Sequence, residues 1–333
     1  MKTYRFTLSP QSAFGTPLVG DSLFGQLCWA IVNRFGEAHL NKLLEGYVEQ
    51  RPFMVVSDCF PKGYLPLPTL PSRFWQTDDS HKADRKKLKK IQWIKWEDAQ
   101  KSAVKFWQEC AVVHQQEIDA QNEQHKNDRN YEKKAILFKE SQDQYHNTLD
   151  RSSGTTGEGI FAPYATELTW YNKTQQFDLY IVLDEPRFSL DELKLILSDV
   201  GSFGFGRDAS IGLGKFTVAE ETQAGEFKQE NANCYFTLAN TAPQGLGLNK
   251  DNSYYQITTR FGRHGDIQAL SSSPFKKPII LAKAAAIFTP NEYKVRSFLG
   301  NGLTHISTAQ TNAVHQGYAP VLNLCVDFTK DAK

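Results

Sequence analysis

Gly201-Ser202-Phe203-Gly204-Phe205-Gly206-Arg207-Asp208-Ala209-Ser210-Ile211-Gly212-Leu213-Gly214-Lys215-Phe216 is the stretch on which the reading of this chain turns. Five glycines fall in its first fourteen positions. Glycine removes the side chain that would hold a ligand off the main chain, and it permits backbone angles closed to other residues. Arg207 and Lys215 add positive charge and Ser210 a hydroxyl, a combination suited to a phosphodiester chain. A tight helix-to-strand turn that serves only packing would need the same glycines, so both readings stand at this point. No Gly-Lys-Ser/Thr triplet ends the loop, and a dinucleotide fold would place a strand before it. Here an amphipathic segment, Ser189 to Val200, predicts a helix before the loop, and Lys215-Phe216-Thr217-Val218 predicts a strand after it.

Upstream, Tyr4, Phe6 and Leu8 alternate as in a strand, and Gly20-Asp21-Ser22 opens a helix with Leu23, Phe24, Leu27, Cys28, Ile31 and Val32 on one face. A helix over 39–49 and a strand over 53–60 follow, then four prolines between Pro61 and Pro71 that force an extended connection. Strands are expected at 160–170 and 177–183. With the segment 72–147 set aside, the order is strand, helix, strand, strand, helix, strand, the ferredoxin-like arrangement of RNA-recognition folds. The fold class expected is α+β: a ferredoxin-like domain over 1–71 and 148–220, an insertion over 72–147, and a second, degenerate strand-rich domain over 221–333. In that last part strands are expected at 234–239, 254–261, 279–288 and 321–328.

The insertion has neither glycine nor proline and is rich in Lys, Gln, Glu, Asp and Ala, which predicts about three helices. Residues 82–105 carry nine Lys/Arg against three acids, with Trp93 and Trp96 among them and Trp107 just beyond. Lys82, Arg85, Lys86, Lys87, Lys89, Lys90 and Lys95 therefore mark a basic helix able to lie over a phosphate backbone or enter a DNA groove, or else the solvated face of a bundle.

The 333 residues include 38 Lys+Arg and 37 Asp+Glu, for a net charge of +1. Binding to nucleic acid through bulk charge would need a far more basic chain, so any such contact must be local. Five dispersed cysteines without a Cys-x-x-Cys pair point to neither a zinc site nor a disulfide framework. No metal and no cofactor is expected. The chain offers no signal-peptide core and no apolar run long enough to span a bilayer, so a cytoplasmic protein without membrane contact is expected.

Four blocks together resemble the RAMP superfamily of CRISPR-associated proteins. They are Thr16 to Gly25 at the first helix, Val56 to Pro61 with Leu65 to Pro68, Asp150 to Phe161, and the glycine-rich loop. In order and spacing they look like the subunit that caps the 5′ handle of the guide RNA (crRNA), the group of the fourth Csm subunit and the Cas-five subunits of Cascade complexes. The large insertion is similar to that of the Cas-five subunit of the minimal type I-F variant. There it is thought to stand in for a missing large subunit in recognising the protospacer-adjacent motif (PAM) of target DNA.

The resemblance implies a non-catalytic RNA-binding subunit of a ribonucleoprotein complex for antiviral defence. Its partners would be crRNA, the backbone RAMP subunits and target double-stranded DNA. Main-chain amides around Gly204, Gly206, Gly212 and Gly214 would hold the handle with Arg207, Ser210 and Lys215, and Arg151, Ser152 and Ser153 would lie nearby. The basic helix would contact the duplex and its PAM. An endoribonuclease acting on precursor crRNA is the enzymatic alternative, with His264, inside Gly262-Arg263-His264-Gly265, as its general acid or base. A third reading is a protein-interaction subunit that touches no DNA.

Overall fold

The computed structural model describes residues 1–75, 90–125, 139–223, 227, 229–270 and 273–329. Along the first half run β1 (Lys2–Pro10), α1 (Gly20–Phe35), α2 (Glu37–Leu43), β2 (Met54–Pro61), β3 (Tyr64–Pro66), β4 (Trp93–Lys95), α3 (Trp96–Lys101), α4 (Trp107–His125), β5 (Lys139–His146), β6 (Tyr164–Tyr171), β7 (Phe177–Leu183) and α5 (Leu190–Phe203). They are followed by β8 (Phe216–Gln223), β9 (Cys234–Thr237), β10 (Leu248–Tyr254), β11 (Ile257–Arg260), β12 (Ile279–Ala282), β13 (Ile287–Pro290), β14 (Phe298–Leu303) and β15 (His315–Leu324).

The first sheet is antiparallel, in the order β2-β7-β1-β8, with α1 and α5 in the crossovers. Tyr4, Phe6 and Leu8 point from β1 into the core that Leu23, Phe24, Leu27 and Ile31 of α1 share with Leu193, Ile196, Leu197 and Val200 of α5. Every residue of β7 is buried, because the opposite face is covered too. There Trp96 stacks on Tyr180 with ring centroids 5.6 Å apart. Such a strand reads as a continuous apolar run, as Phe177 to Leu183 does. Ser189 and Glu192 form a reciprocal capping box that starts α5, and Gly204, at φ 106°, ends it. Gly20 must be glycine because a Cβ there would lie 2.5 Å from the Val56 carbonyl oxygen.

The second sheet is antiparallel in the order β10-β13-β9-β15-β14, and β11 pairs with β12. The strand expected over 279–288 is two strands, because the chain turns between them through Ala285 at φ 69°. Gln316 of β15 joins the sheets: its amide donates to the Val56 carbonyl at 2.7 Å and accepts from the Val56 N–H at 2.9 Å. One core therefore runs from α1 through β2 to Tyr318.

The insertion departs from the all-helical expectation. Trp93–Lys95 is a strand paired with Tyr64–Pro66, with Ile94 buried, so the expected basic helix over 82–105 is interrupted there. Lys139–His146 is also a strand, paired along its whole length with Tyr164–Tyr171. This pairing crosses the boundary expected at 147/148. The sequence Lys-Glu-Ser-Gln-Asp-Gln-Tyr-His has no apolar alternation because nearly all of it is exposed, which left no strand signal to read.

Candidate nucleic-acid interface

The glycine-rich loop is held mainly by its own fold. Phe205 N–H donates to the Gly214 carbonyl at 2.9 Å, and Gly214 N–H to the Ala13 carbonyl at 2.7 Å. A Cβ at Gly204 would meet the Leu213 carbonyl oxygen at 2.2 Å, and one at Gly214 the Phe205 carbonyl oxygen at 2.1 Å. These two glycines, both at positive φ, allow the two arms of the loop to touch. Gly206 N–H donates to Gln26 Oε1, whose Nε2 donates to the Gly204 carbonyl, so α1 grips the loop through one side chain. Arg207 N–H is taken by Thr16 Oγ1 and Lys215 N–H by Ser12 Oγ.

Most amides expected to face a phosphate are thus satisfied within the protein. The loop still exposes Phe203, Gly206, Arg207, Ser210, Ile211 and Lys215. A Cβ added at Gly212 would meet nothing within 4 Å. Asp208, at φ 60°, leads into the short 3-10 turn Ala209–Ile211.

Arg207 ties the loop to the β5–β6 ribbon. Its guanidinium donates to the Glu167 carbonyl, and its Nε lies 3.5 Å from Asp208 Oδ2. The ribbon root is fixed by reciprocal N–H to carbonyl bonds between Phe14 and Thr169, each 2.9 Å. Arg151, Ser152 and Ser153 lie beyond the other end, where Tyr164 pairs with His146. They form an exposed turn in which Asp150 Oδ1 accepts from Ser152 N–H and Oγ. The structure therefore brings Arg207 to the ribbon but leaves Arg151, Ser152 and Ser153 past its free end.

The segment 260–266 also packs on α1. Arg260 donates to Asp21 Oδ1 at 2.7 Å and to Ser22 Oγ at 2.6 Å. Asn33 donates to Asp266, and Gly265 packs on the Trp29 ring. The glycine-rich loop meets α1 at Gln26 and this segment meets it at Ser22, Trp29 and Asn33, positions on one stripe of the helix. Beside that stripe Gly25 leaves open space, since a Cβ there would meet nothing within 4 Å.

Below this face Asp21 is buried, with Asn240 donating to Oδ2 at 3.1 Å and His315 Nε2 at 3.6 Å from the same oxygen. Burial pushes its carboxyl up, but the His315, Arg260 and Asn240 contacts outweigh this and hold it well below the usual carboxylate range. Asp58 takes the other role. Burial, with the neighbouring Asp21 charge, pushes its carboxyl up to about 7 against the opposing pull of the Gly20 N–H it accepts.

His264 is buried, its Nε2 2.7 Å from Ser307 Oγ. Burial, and then Lys276, pushes its imidazole pKa down. It packs a turn beside Lys276. Lys82, Arg85, Lys86, Lys87 and Lys89 lie outside the described residues. Lys90 is exposed, and Lys95 sits 4.0 Å from Glu117 beside α4. Among the described residues no group of three or more His, Cys, Asp or Glu side chains could hold a metal, and no helix is long and apolar enough to cross a membrane.

Sequence reasoning missed Gln26, Thr16 and Gly25. The first two act through single side chains placed by the fold, which leaves no periodic signal. Gly25 lay in a quoted block without a role.

No family model matches the chain, and no curated protein matches it in sequence. Among solved structures, it is similar to a chain of a Csm3–Csm4 subcomplex of the type III-A CRISPR-Cas interference complex. The two share 16% identity at a TM-score of 0.60, over 98% of this chain and 100% of that one. It is also similar to chains of two Csm1–Csm4 cassettes. One, in complex with AMPPNP, gives 13% identity and a TM-score of 0.54; the other, in complex with pppApA, gives 14% and 0.53; each match covers 98% of this chain. At these identities the likeness is one of fold. The chain has the mixed helix-and-strand architecture of a subunit in these CRISPR assemblies, over essentially its full length.

Proposed function

We propose that this chain is a non-catalytic RNA-binding subunit of a multi-subunit CRISPR complex, capping the 5′ handle of the guide RNA. Its first sheet and two crossover helices are read as the ferredoxin-like unit of a RAMP protein, and its second sheet as the degenerate partner unit. The observation that carries the reading is the outward face of α1. It presents Ser22, Gln26, Trp29 and Asn33, is open at Gly25, and receives the loop that carries Arg207 at Gln26 and the Arg260 guanidinium at Ser22. A single-stranded backbone could lie close to the helix there, with cations near it. The fold likeness to chains of type III-A assemblies supports a type III-like complex over the type I-F variant, and supports other Csm-like subunits as partners.

Contact with target duplex and its PAM rests on Lys82 to Lys89, outside the described residues, and Lys95 is set in a strand beside Glu117. A catalytic role through His264 is disfavoured by its burial against Ser307.

The test is RNA retention. The chain, purified with its partner subunits, should carry guide RNA, visible as a raised ratio of absorbance at 260 to 280 nm. Lys215→Glu should reduce that retention at unchanged subunit stoichiometry. Full retention in a Lys215→Glu, Gly25→Leu double variant would remove the loop and the α1 face from the RNA site.

A further inference from the structure

The ribbon made by 257–264 and 274–282 turns several of its large apolar side chains to solvent. Its register runs from Ile257 opposite Ala282 to Arg260 opposite Ile279 and, after a shift of one residue, resumes with Arg263 opposite Phe275. His264 N–H donates to the Pro274 carbonyl and Lys276 N–H to the Gly262 carbonyl, both at 2.8 Å. In an antiparallel pair with one face on a core, the apolar residues go inward and the polar ones outward. Here the inward side carries Arg260, bonded to Asp21, and His264, bonded to Ser307, together with the buried Leu281. The outward side carries Ile257, Phe261, Phe275 and Ile280, exposed by 69, 77, 69 and 63%. At the ribbon end Ile267 and Leu270 are 74 and 88% exposed. A monomer in water gains nothing from this arrangement, and a contiguous apolar patch of this kind marks a surface that another molecule covers.

The chemistry of the face selects the occupant. Ile257 and Ile280 have no flat surface for a base to stack on, and the Arg263 guanidinium carbon already lies 5.7 Å over the Phe275 ring. The face is thus poorly built as a stacking platform for RNA and well built for an apolar protein ridge. Arg263 and Lys277 are exposed beside it. Asp266, the only carboxylate between Asn252 and Asn291, is bonded to Asn33. The rim is therefore cationic, which fits a partner whose apolar ridge is flanked by Asp or Glu.

We infer that the outward face of this ribbon docks a protein subunit of the same complex, through an apolar ridge rimmed by carboxylates. The identity of the partner as a complex subunit rests on the function proposed above; the exposed apolar face does not. It is a different surface from the RNA site, because the ribbon's inner side, not this one, meets α1.

The experiment reconstitutes the chain with its complex subunits and guide RNA, as wild type and as a Phe261→Ser, Phe275→Ser variant. Both side chains point outward, so thermal unfolding of the isolated variant should match wild type. The expected result is loss of one protein subunit from the purified variant while guide RNA is retained. Arg263→Glu with Lys277→Glu should weaken the same subunit roughly tenfold at low salt, and less at high salt. An intact set of subunits in the Phe variant overturns the proposal. Loss of RNA with all subunits kept also overturns it, by making the face an RNA surface. A wild-type chain that assembles with no subunit overturns it as well, and RNA retained by that chain then decides the capping reading separately.

Discussion

The guanidinium of Arg260, on β11, donates to the buried carboxylate of Asp21, in the first turn of α1, at 2.7 Å. Two residues 239 positions apart thereby fix the second half of the chain against the helix that also grips the glycine-rich loop. The Asp21 side chain is almost fully enclosed, so breaking this pair leaves a charge without its counterion. Arg260→Met should destabilise the fold by about 2–3 kcal/mol, read from chemical denaturation. Asp21→Asn should cost less, because the amide keeps hydrogen-bonding capacity without charge.

The same carboxylate sets the acid limit of stability. Its folded pKa lies below the unfolded value, so its contribution is present above about pH 4 and is lost as pH falls further. Asp58 works in the opposite direction. With a folded pKa of about 7, it is bound to a proton in the fold where the unfolded chain has released it, so it costs stability as pH rises from about 4 to 7. Asp58→Asn should raise stability at pH 8 by on the order of 1 kcal/mol and flatten the melting temperature between pH 5 and 8. The asparagine can still accept from Gly20 N–H. An unchanged pH profile would remove the buried-acid assignment.

The loop glycines should separate by role. Gly204→Ala and Gly214→Ala place a Cβ within 2.2 Å and 2.1 Å of carbonyl oxygens, so each should cost about 2 kcal/mol or more and misplace Arg207. Gly212→Ala meets nothing and should cost only the strain of its φ, about 1 kcal/mol. Gly25→Ala lies in a helix and faces open space, so it should leave stability unchanged or raise it by about 1 kcal/mol. Loss of guide RNA from this well-folded variant would place the RNA against α1.

Arg207 has both a structural and an electrostatic part to play. Because its side chain bonds the Glu167 carbonyl of the ribbon, Arg207→Met should lower both the melting temperature and RNA retention. Lys215→Met should lower RNA retention alone, since the exposed side chain stands outside the hydrogen bonds that hold the loop. Both losses should shrink as salt rises, the sign of phosphate contacts.

Elements with an apolar period were legible in the sequence. The α5 helix, with Leu193, Ile196, Leu197 and Val200, and the fully buried β7 lie close to where the hydrophobic pattern placed them. The exposed β5 was not legible, because a ribbon standing in water needs no apolar alternation, and its glycine-free polar sequence reads as helix. The short β4 was hidden for a related reason: three residues paired at an edge carry too little period to separate them from the helix that follows. In the site, Arg207 and the glycines were visible as composition. Their use of Gln26, Thr16 and Ser12 as amide partners was not, because those contacts span more than 170 residues and depend on the finished fold. The apolar outer side of the ribbon over 257–264 could have been noticed from Ile257, Thr259 and Phe261 alternating with Thr258, Arg260 and Gly262, but alternation alone does not say which side faces the core.

The central claim is that this chain holds the 5′ handle of a guide RNA. The most direct measurement is binding of the purified chain to labelled guide RNA with its handle, against the same RNA with the handle removed, at one fixed salt concentration. The account predicts tighter binding of the handle-bearing RNA, with that preference lost in the Gly25→Leu variant. Equal binding of the two RNAs, or a preference that survives in the variant, would contradict it.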